Sequence, residues 1–310
     1  MLFKSLIGQS IAKSKLSFYL NGHKNGEALP FLMFTGAQGN GKTLFAREVA
    51  KKVKSNTDEK TKFVEVNCSI LKNVNQFFDC LIIPLLSEDC DRITILFDEV
   101  HEIPKDVQNI LLSIMNTEKG NRKTITRANG EEITFDFRKL TFLFATTDQQ
   151  KLVKPLLDRM IIIDFVPYSY PELGRIIKMN VENCKFCNES LEEISKAARF
   201  NARNAALIAK DIKILLSDRE DKSFTKKELG NLKKSLHIQP YGLNNSEVNV
   251  LKIIDNYSPC SLTKIAASTG LTAQVIRQTI EPYLMKIDAI SIDSKRSVTM
   301  HGKQIIKSLI

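Results

Sequence analysis

A chain of 310 residues with 43% hydrophobic and 26% charged side chains has the length of two or three domains, and its composition excludes the disordered and fibrous classes. Its formal charge of +10, from 45 Lys and Arg against 35 Asp and Glu, points to a polyanionic partner, nucleic acid foremost. No signal peptide and no bilayer-length apolar run is read, and six scattered cysteines fit reduced thiols, so a cytoplasmic protein is expected. Cys184-Lys185-Phe186-Cys187 is a lone CxxC without a second ligand pair, and reads as two thiols on a helical hairpin rather than a structural zinc site.

Residues 1–30 read as an entry segment and a helix, with Ile11, Leu16, Tyr19 and Leu20 on one stripe and Asn21-Gly22 at its end. The run Phe31-Leu32-Met33-Phe34 predicts a strand. It leads into Gly36-Ala37-Gln38-Gly39-Asn40-Gly41-Lys42-Thr43 and then a helix from Leu44 to about Lys54. Strand, glycine loop and helix in that order form the setting of a phosphate-binding loop. Gly36, Gly39 and Gly41 permit tight turns and close approach, so the backbone from Gly36 through Asn40 to Leu44 can present N–H groups to phosphate oxygens. Lys42 is the expected ligand of the β- and γ-phosphates of ATP, and the Thr43 hydroxyl is the expected holder of Mg²⁺.

A short strand at 63–66, a helix over 70–86 and an apolar strand at 93–97 follow. The last ends in Asp98-Glu99, which places two carboxylates at the carboxyl edge of a sheet, where ligands of open α/β folds bind. Asp98 suits Mg²⁺ through its water shell, and Glu99 suits the polarisation of a water for attack on the γ-phosphate. A helix over 104–115 precedes a polar stretch, 119–137, whose strand-like ends flank Asn129-Gly130, a hairpin turn signal. A buried strand at 140–145 ends beside Thr147, read either as a water-orienting side chain or as an ordinary turn residue. Strands alternating with helices predict a parallel sheet covered on both faces. In Pro155-Leu156-Leu157-Asp158-Arg159, the arginine fits either a finger reaching the next copy's nucleotide or a surface ion pair with Asp158.

After about 165, amphipathic helices replace strands up to about 238, and Arg203 opens one of them, read either as a side chain that reports the γ-phosphate or as an ordinary helix-starting arginine. Beyond Gln239-Pro240-Tyr241-Gly242 come helices at 246–256, 261–269 and 272–284 and two strands near 287–300, the order of a winged helix. The expected organisation is an α/β P-loop domain (1–165), a helical lid (166–239) and a C-terminal winged helix (240–310).

In this order the motifs resemble the AAA+ ATPases and, within them, the RuvB group of bacterial Holliday-junction branch-migration motors. Ile7-Gly8-Gln9 matches the family's IGQ entry motif, which implies a place for Ile7 beside the nucleotide. The glycine loop matches Walker A with Ala37-Gln38 in place of the usual prolines, Leu96 to His101 matches Walker B, and Leu143 to Asp148 matches sensor 1. Pro155 to Met160 matches the arginine-finger segment, Tyr168 falls where a tyrosine flanks the nucleotide, and Arg203 falls at sensor 2. Gly242 to Glu247 and Ile280 to Ile290 look like the group's winged helix.

The resemblance implies an ATP- and Mg²⁺-dependent motor assembled as a homo-oligomeric ring, a hexamer, which acts on duplex or four-way-junction DNA without sequence preference. It implies a RuvA-like partner for the hairpin, yet 119–137 is polar and basic where the group presents an apolar tip, so another partner or DNA stays open there. Arg277 on the recognition helix and Lys295 and Arg296 at the wing are the candidate DNA contacts, the wing pair reading either as phosphate contacts or as a solvated wing tip. The alternatives are a clamp-loader or helicase-loader ATPase, and a nucleotide-gated winged-helix regulator.

Overall fold

The computed structural model describes residues 3–23, 28–53, 60–117, 121–217 and 222–309. The expected helix end at Lys54 and the start of the polar segment at 119 lie outside them. Leu32–Thr35 (β1), Arg92–Asp98 (β3) and Leu140–Thr146 (β6) are apolar along nearly their whole length because both of their faces are covered. With Thr61–Asn67 (β2) and Ile161–Asp164 (β7) they form a parallel sheet of order β2-β3-β6-β1-β7.

Side chains alternate across this sheet. Met33, Ile95, Phe97, Phe142 and Phe144 enter one core with Leu111 and Phe135, whereas Leu32, Phe34, Leu96, Leu143 and Ala145 enter the other with Leu16, Phe45 and Val49. In a chain without Trp, phenylalanines fill the larger spaces: Phe97 stacks on Phe144 at 5.2 Å and meets Phe142 edge-on at 5.2 Å. Each such buried ring contributes about 1.5–3 kcal/mol.

The helix Ser10–His23 buries Ala12, Leu16, Leu20 and His23, but Ile11 is 67% exposed, so the expected stripe holds at Leu16 and Leu20 and fails at Ile11. Asn21 and Gly22 lie inside its last turn, where His23 Nε2 meets the Val53 carbonyl at 3.1 Å. The expected helix over 70–86 begins with a 3-10 turn at Cys68–Ile70, and only 74–86 is a continuous helix, with a π segment at Phe77–Ile82.

The hairpin of Arg122–Thr126 (β4) and Glu132–Asp136 (β5) turns about Asn129-Gly130 with Ile125 opposite Ile133. Its inward Ile133 and Phe135 join the core, with Phe137 just beyond. Several of its basic charges are taken up internally. Arg127 pairs with Asp79 and Glu131 (2.7 and 2.8 Å), and Arg122 and Arg138 both bind Asp136 (2.9 and 2.6 Å).

The chain divides into two compact units, Met1–Tyr168 and Ser169–Ile310. The second opens with the helices Tyr170–Asn180, Asn188–Lys196, Ala202–Leu215 and Lys226–Ser235. The expectation of helices alone is corrected by a two-residue parallel pair, Lys185–Phe186 (β8) with Ser223–Phe224 (β9). Cys184 and Cys187 flank β8 instead of sitting on a helical hairpin, and Cys187 is the N-cap residue of the next helix.

The winged helix comprises Asn245–Asn256, Leu262–Thr269, a helical run over 273–286 and the antiparallel strands Ile290–Ile292 (β10) and Arg296–Val298 (β11). The helix Met300–Lys307 was not anticipated. Within this unit, Arg199 forks onto the buried Glu247 at 2.6 and 2.8 Å and lies 3.7 Å from the Tyr283 ring centre, which ties the lid to the winged helix. Among the described residues no helix is long and apolar enough to cross a membrane.

Candidate active site

The glycine loop leaves β1 at Gly36, whose φ of +142° and whose space both exclude a side chain: a Cβ there would lie 2.4 Å from the Phe165 carbonyl oxygen. The helix Lys42–Lys52 begins at Gly41, with φ +94°, where a Cβ would lie 3.0 Å from the Tyr168 hydroxyl. Lys42 donates to the carbonyls of Gly36 and Ala37 at 2.7 and 3.3 Å, so its ammonium spans the mouth of the loop. Thr43 is half-buried on the first helical turn, beside the exposed Leu44.

Asn40 is placed otherwise than expected. Its N–H donates to Ala37 and its side-chain amide to Phe165 (3.3 and 3.2 Å), so it shapes the loop rather than facing its mouth. Tyr168 donates to the Asn40 carbonyl at 3.2 Å and packs beside the same loop. Near the half-buried Ile7, Gln9 makes a two-point clamp on the chain after β7: it donates to the Val166 carbonyl at 2.7 Å and accepts from the Val166 N–H at 3.1 Å. The motif match flagged Gln9 only as a letter, because the clamp spans 157 positions.

Asp98 and Glu99 stand at the carboxyl end of β3, and Thr147 follows β6 on the neighbouring strand. Burial pushes the Asp98 carboxyl above its usual range. The Glu99 N–H at 3.0 Å and the Lys42 charge hold it down, while the Glu99 charge adds to the rise. Such a carboxylate, next to a loop whose Gly36 leaves no space for a side chain, is the environment a divalent cation and a phosphate chain together relieve. The residues present therefore fit a nucleotide with Mg²⁺.

Glu99 is left-handed, with φ 51° and ψ 45°. Its Oε2 accepts from the Thr147 hydroxyl at 3.1 Å. His101, whose side chain is 8% exposed, reaches Thr146 Oγ1 at 2.9 Å, Glu102 Oε1 at 3.0 Å and Glu99 Oε2 at 3.4 Å. Sequence reasoning gave His101 no role, since its partners come from two strand ends.

Arg159 is exposed, donates to the Pro155 carbonyl at 2.8 Å and makes no ion pair with Asp158 among the described residues. Arg203 belongs to the second unit, exposed on the first turn of a helix capped by Asn201. Arg277 and Lys295 are exposed on the winged helix. The reading of Arg296 as a DNA contact is corrected: it is 8% exposed, and its guanidinium is spent on the buried Glu281 at 2.7 and 3.3 Å.

The AAA family model (ATPase family associated with various cellular activities) matches residues 32–168, and the RuvB C-terminal winged helix domain model matches 240–307. The chain is 28% identical over 291 residues to the Holliday junction branch migration complex subunit RuvB of Phytoplasma mali, spanning 91% of this chain and 84% of that protein. It is 29% identical over 292 residues to the protein of the same name from Thermotoga petrophila, spanning 90% and 83%. The solved structure of a mutant of Thermotoga maritima RuvB superposes with a TM-score of 0.72 at 25% identity, covering 98% of this chain and 97% of that one.

Proposed function

We propose that this chain, a RuvB-like AAA+ ATPase, hydrolyses ATP to drive branch migration of Holliday junctions. The observation that carries the reading is the gathering of the glycine loop, Asp98, Glu99 and Thr147 at the carboxyl ends of three adjacent parallel strands, β1, β6 and β3, in a chain that also carries a winged helix.

The loop backbone and Lys42 hold the phosphates, and Tyr168 and Ile7 border the nucleotide. Thr43 and Asp98 are the residues that would hold Mg²⁺, which when bound neutralises charge on the β- and γ-phosphates. Thr147 holds Oε2 of Glu99, so Oε1 is left to polarise the attacking water. Arg159 serves the nucleotide of a neighbouring copy, in a ring that we take to be a hexamer, and Arg203 senses the γ-phosphate. Arg277 and Lys295 contact DNA phosphates, which gives salt-sensitive binding without base preference.

The test is ATP turnover with and without four-way-junction DNA, alone and with a RuvA protein. Junction DNA should stimulate turnover, and Glu99→Gln should lower it by at least about 100-fold while ATP binding persists. Unstimulated turnover that Glu99→Gln leaves intact would contradict the reading. Stimulation that depends on the RuvA protein would identify such a protein as the partner.

A further inference from the structure

Glu99 takes a backbone conformation that a side chain disfavours, and such strain persists only where the surroundings over-determine it. Its own bonds are local except one: the Glu99 N–H donates to Asp98 Oδ1 at 3.0 Å, its carbonyl accepts from the Glu102 N–H at 2.9 Å, and one carboxylate oxygen accepts from Thr147. Glu99 and Thr147 follow the ends of different strands, β3 and β6, so their separation depends on something that fixes one strand end against the other.

His101 is placed to do this. Its Nε2 faces the Glu102 carboxylate at 3.0 Å and therefore carries a proton. Its Nδ1 is hydrogen-bonded to the Thr146 hydroxyl at 2.9 Å, in the direction the ring tautomer sets. That hydroxyl oxygen also accepts from the Asp148 N–H at 3.0 Å, so one bond to the ring secures both sides of Thr147. The same Nδ1 lies 3.4 Å from Glu99 Oε2, so the ring stands directly beside the carboxylate.

We infer that His101 is a positioning residue: it braces the turn after β3 against the end of β6 and so sets the Glu99–Thr147 geometry from which water is activated. The inference rests on the hydrolytic role proposed for Glu99. His101 touches neither phosphate nor water in this scheme. Its effect belongs in the chemical step, because misplacement of a reacting group by a fraction of an ångström lowers rate without lowering affinity.

The test uses the full-length protein and separates kcat from KM for ATP. His101→Gln keeps a polar atom near Nε2 but loses the one at Nδ1, and is expected to lower kcat about tenfold with KM within about twofold of wild type. His101→Asn keeps a hydrogen-bonding atom near the Nδ1 position and should recover most of that loss. Thr146→Val breaks the same bond from the other side, should reproduce the His101→Gln effect, and serves in its place if that variant does not fold. Combining His101→Gln with Thr147→Ala should cost no more than Thr147→Ala alone.

Wild-type kcat in both His101→Gln and Thr146→Val, equal losses in the Asn and Gln variants, or a loss confined to KM would overturn the brace. Glu99→Gln measured alongside keeps the two readings apart. If that variant is inactive and His101→Gln is wild type, only the brace fails; if that variant turns over normally, the hydrolytic reading fails and takes the brace with it.

Discussion

Lys295 and Arg296 are neighbours in sequence with opposite environments, and the difference sets what each substitution does. Lys295 is exposed at the wing tip, whereas Arg296 is buried against Glu281 and pairs through its backbone with Cys260. Lys295→Ala should leave unfolding unchanged, weaken DNA binding uniformly across sequences and reduce the salt slope by about one. Arg296→Ala should strand a buried carboxylate and destabilise the wing by about 3–5 kcal/mol. Denaturant titration and salt-dependent DNA binding of the two variants check this; the contrast fails if Arg296→Ala melts like wild type.

The same pair marks a limit of reading residues from sequence. The places of Lys42, Asp98 and Glu99 in the fold were legible because a local pattern marks them: glycines before a helix, carboxylates after an apolar strand. The fate of Arg296 was not, because its partner lies 15 positions away on a helix, and two adjacent cations look alike until a fold buries one. His101 and Gln9 were hidden for the same reason, since each acts on backbone or side chains far along the chain.

At the level of elements, the β4–β5 hairpin depends on one carboxylate. Arg138, then Arg122, hold the Asp136 carboxyl well below the usual carboxylate range, against a partly opposing burial. A group whose pKa is lower in the folded state stabilises above its unfolded value, about 3.9, and that stabilisation is lost as the pH falls through the window towards the folded value. The hairpin should therefore be fully held at neutral pH and loosen on acidification. Asp136→Asn should loosen it at neutral pH by about 1–2 kcal/mol and flatten the acid response. Amide hydrogen exchange across β4 and β5 checks both; unchanged protection in Asp136→Asn would contradict the account.

Elements were legible where periodicity was strong. The strands β1, β3 and β6 and the Asn129-Gly130 turn stood out because full burial and positive φ leave distinct signatures. The pair β8–β9 is two residues long and carries no periodicity. The helix Met300–Lys307 is short, and its glycine lowered any helical signal; Gly302 is there because a Cβ would lie 2.0 Å from the Ala289 carbonyl oxygen. Ile11 was placed on the wrong face because one apolar residue at the start of a helix fits either stripe.

Across the whole molecule, the order of parts was readable because a parallel-sheet nucleotide fold and a winged helix differ in periodicity and turn chemistry. The tie between lid and winged helix was not. Arg199 and Glu247 are 48 positions apart, and Glu247 is foreshadowed only as the third residue of an Asn244 capping box.

The central claim is that ATP is hydrolysed at a seam, with Glu99 from one copy and Arg159 from the next. Arg159 is exposed and, among the described residues, bonds the Pro155 carbonyl and makes no ion pair with Asp158. The most direct measurement mixes two inactive proteins, Glu99→Gln and Arg159→Ala, under conditions where subunits exchange. If the site is shared, random assembly produces seams with both residues intact, and ATP turnover should return to about a quarter of the wild-type rate. If each copy supplies its whole site, the mixture stays as inactive as its parents, and the account is contradicted.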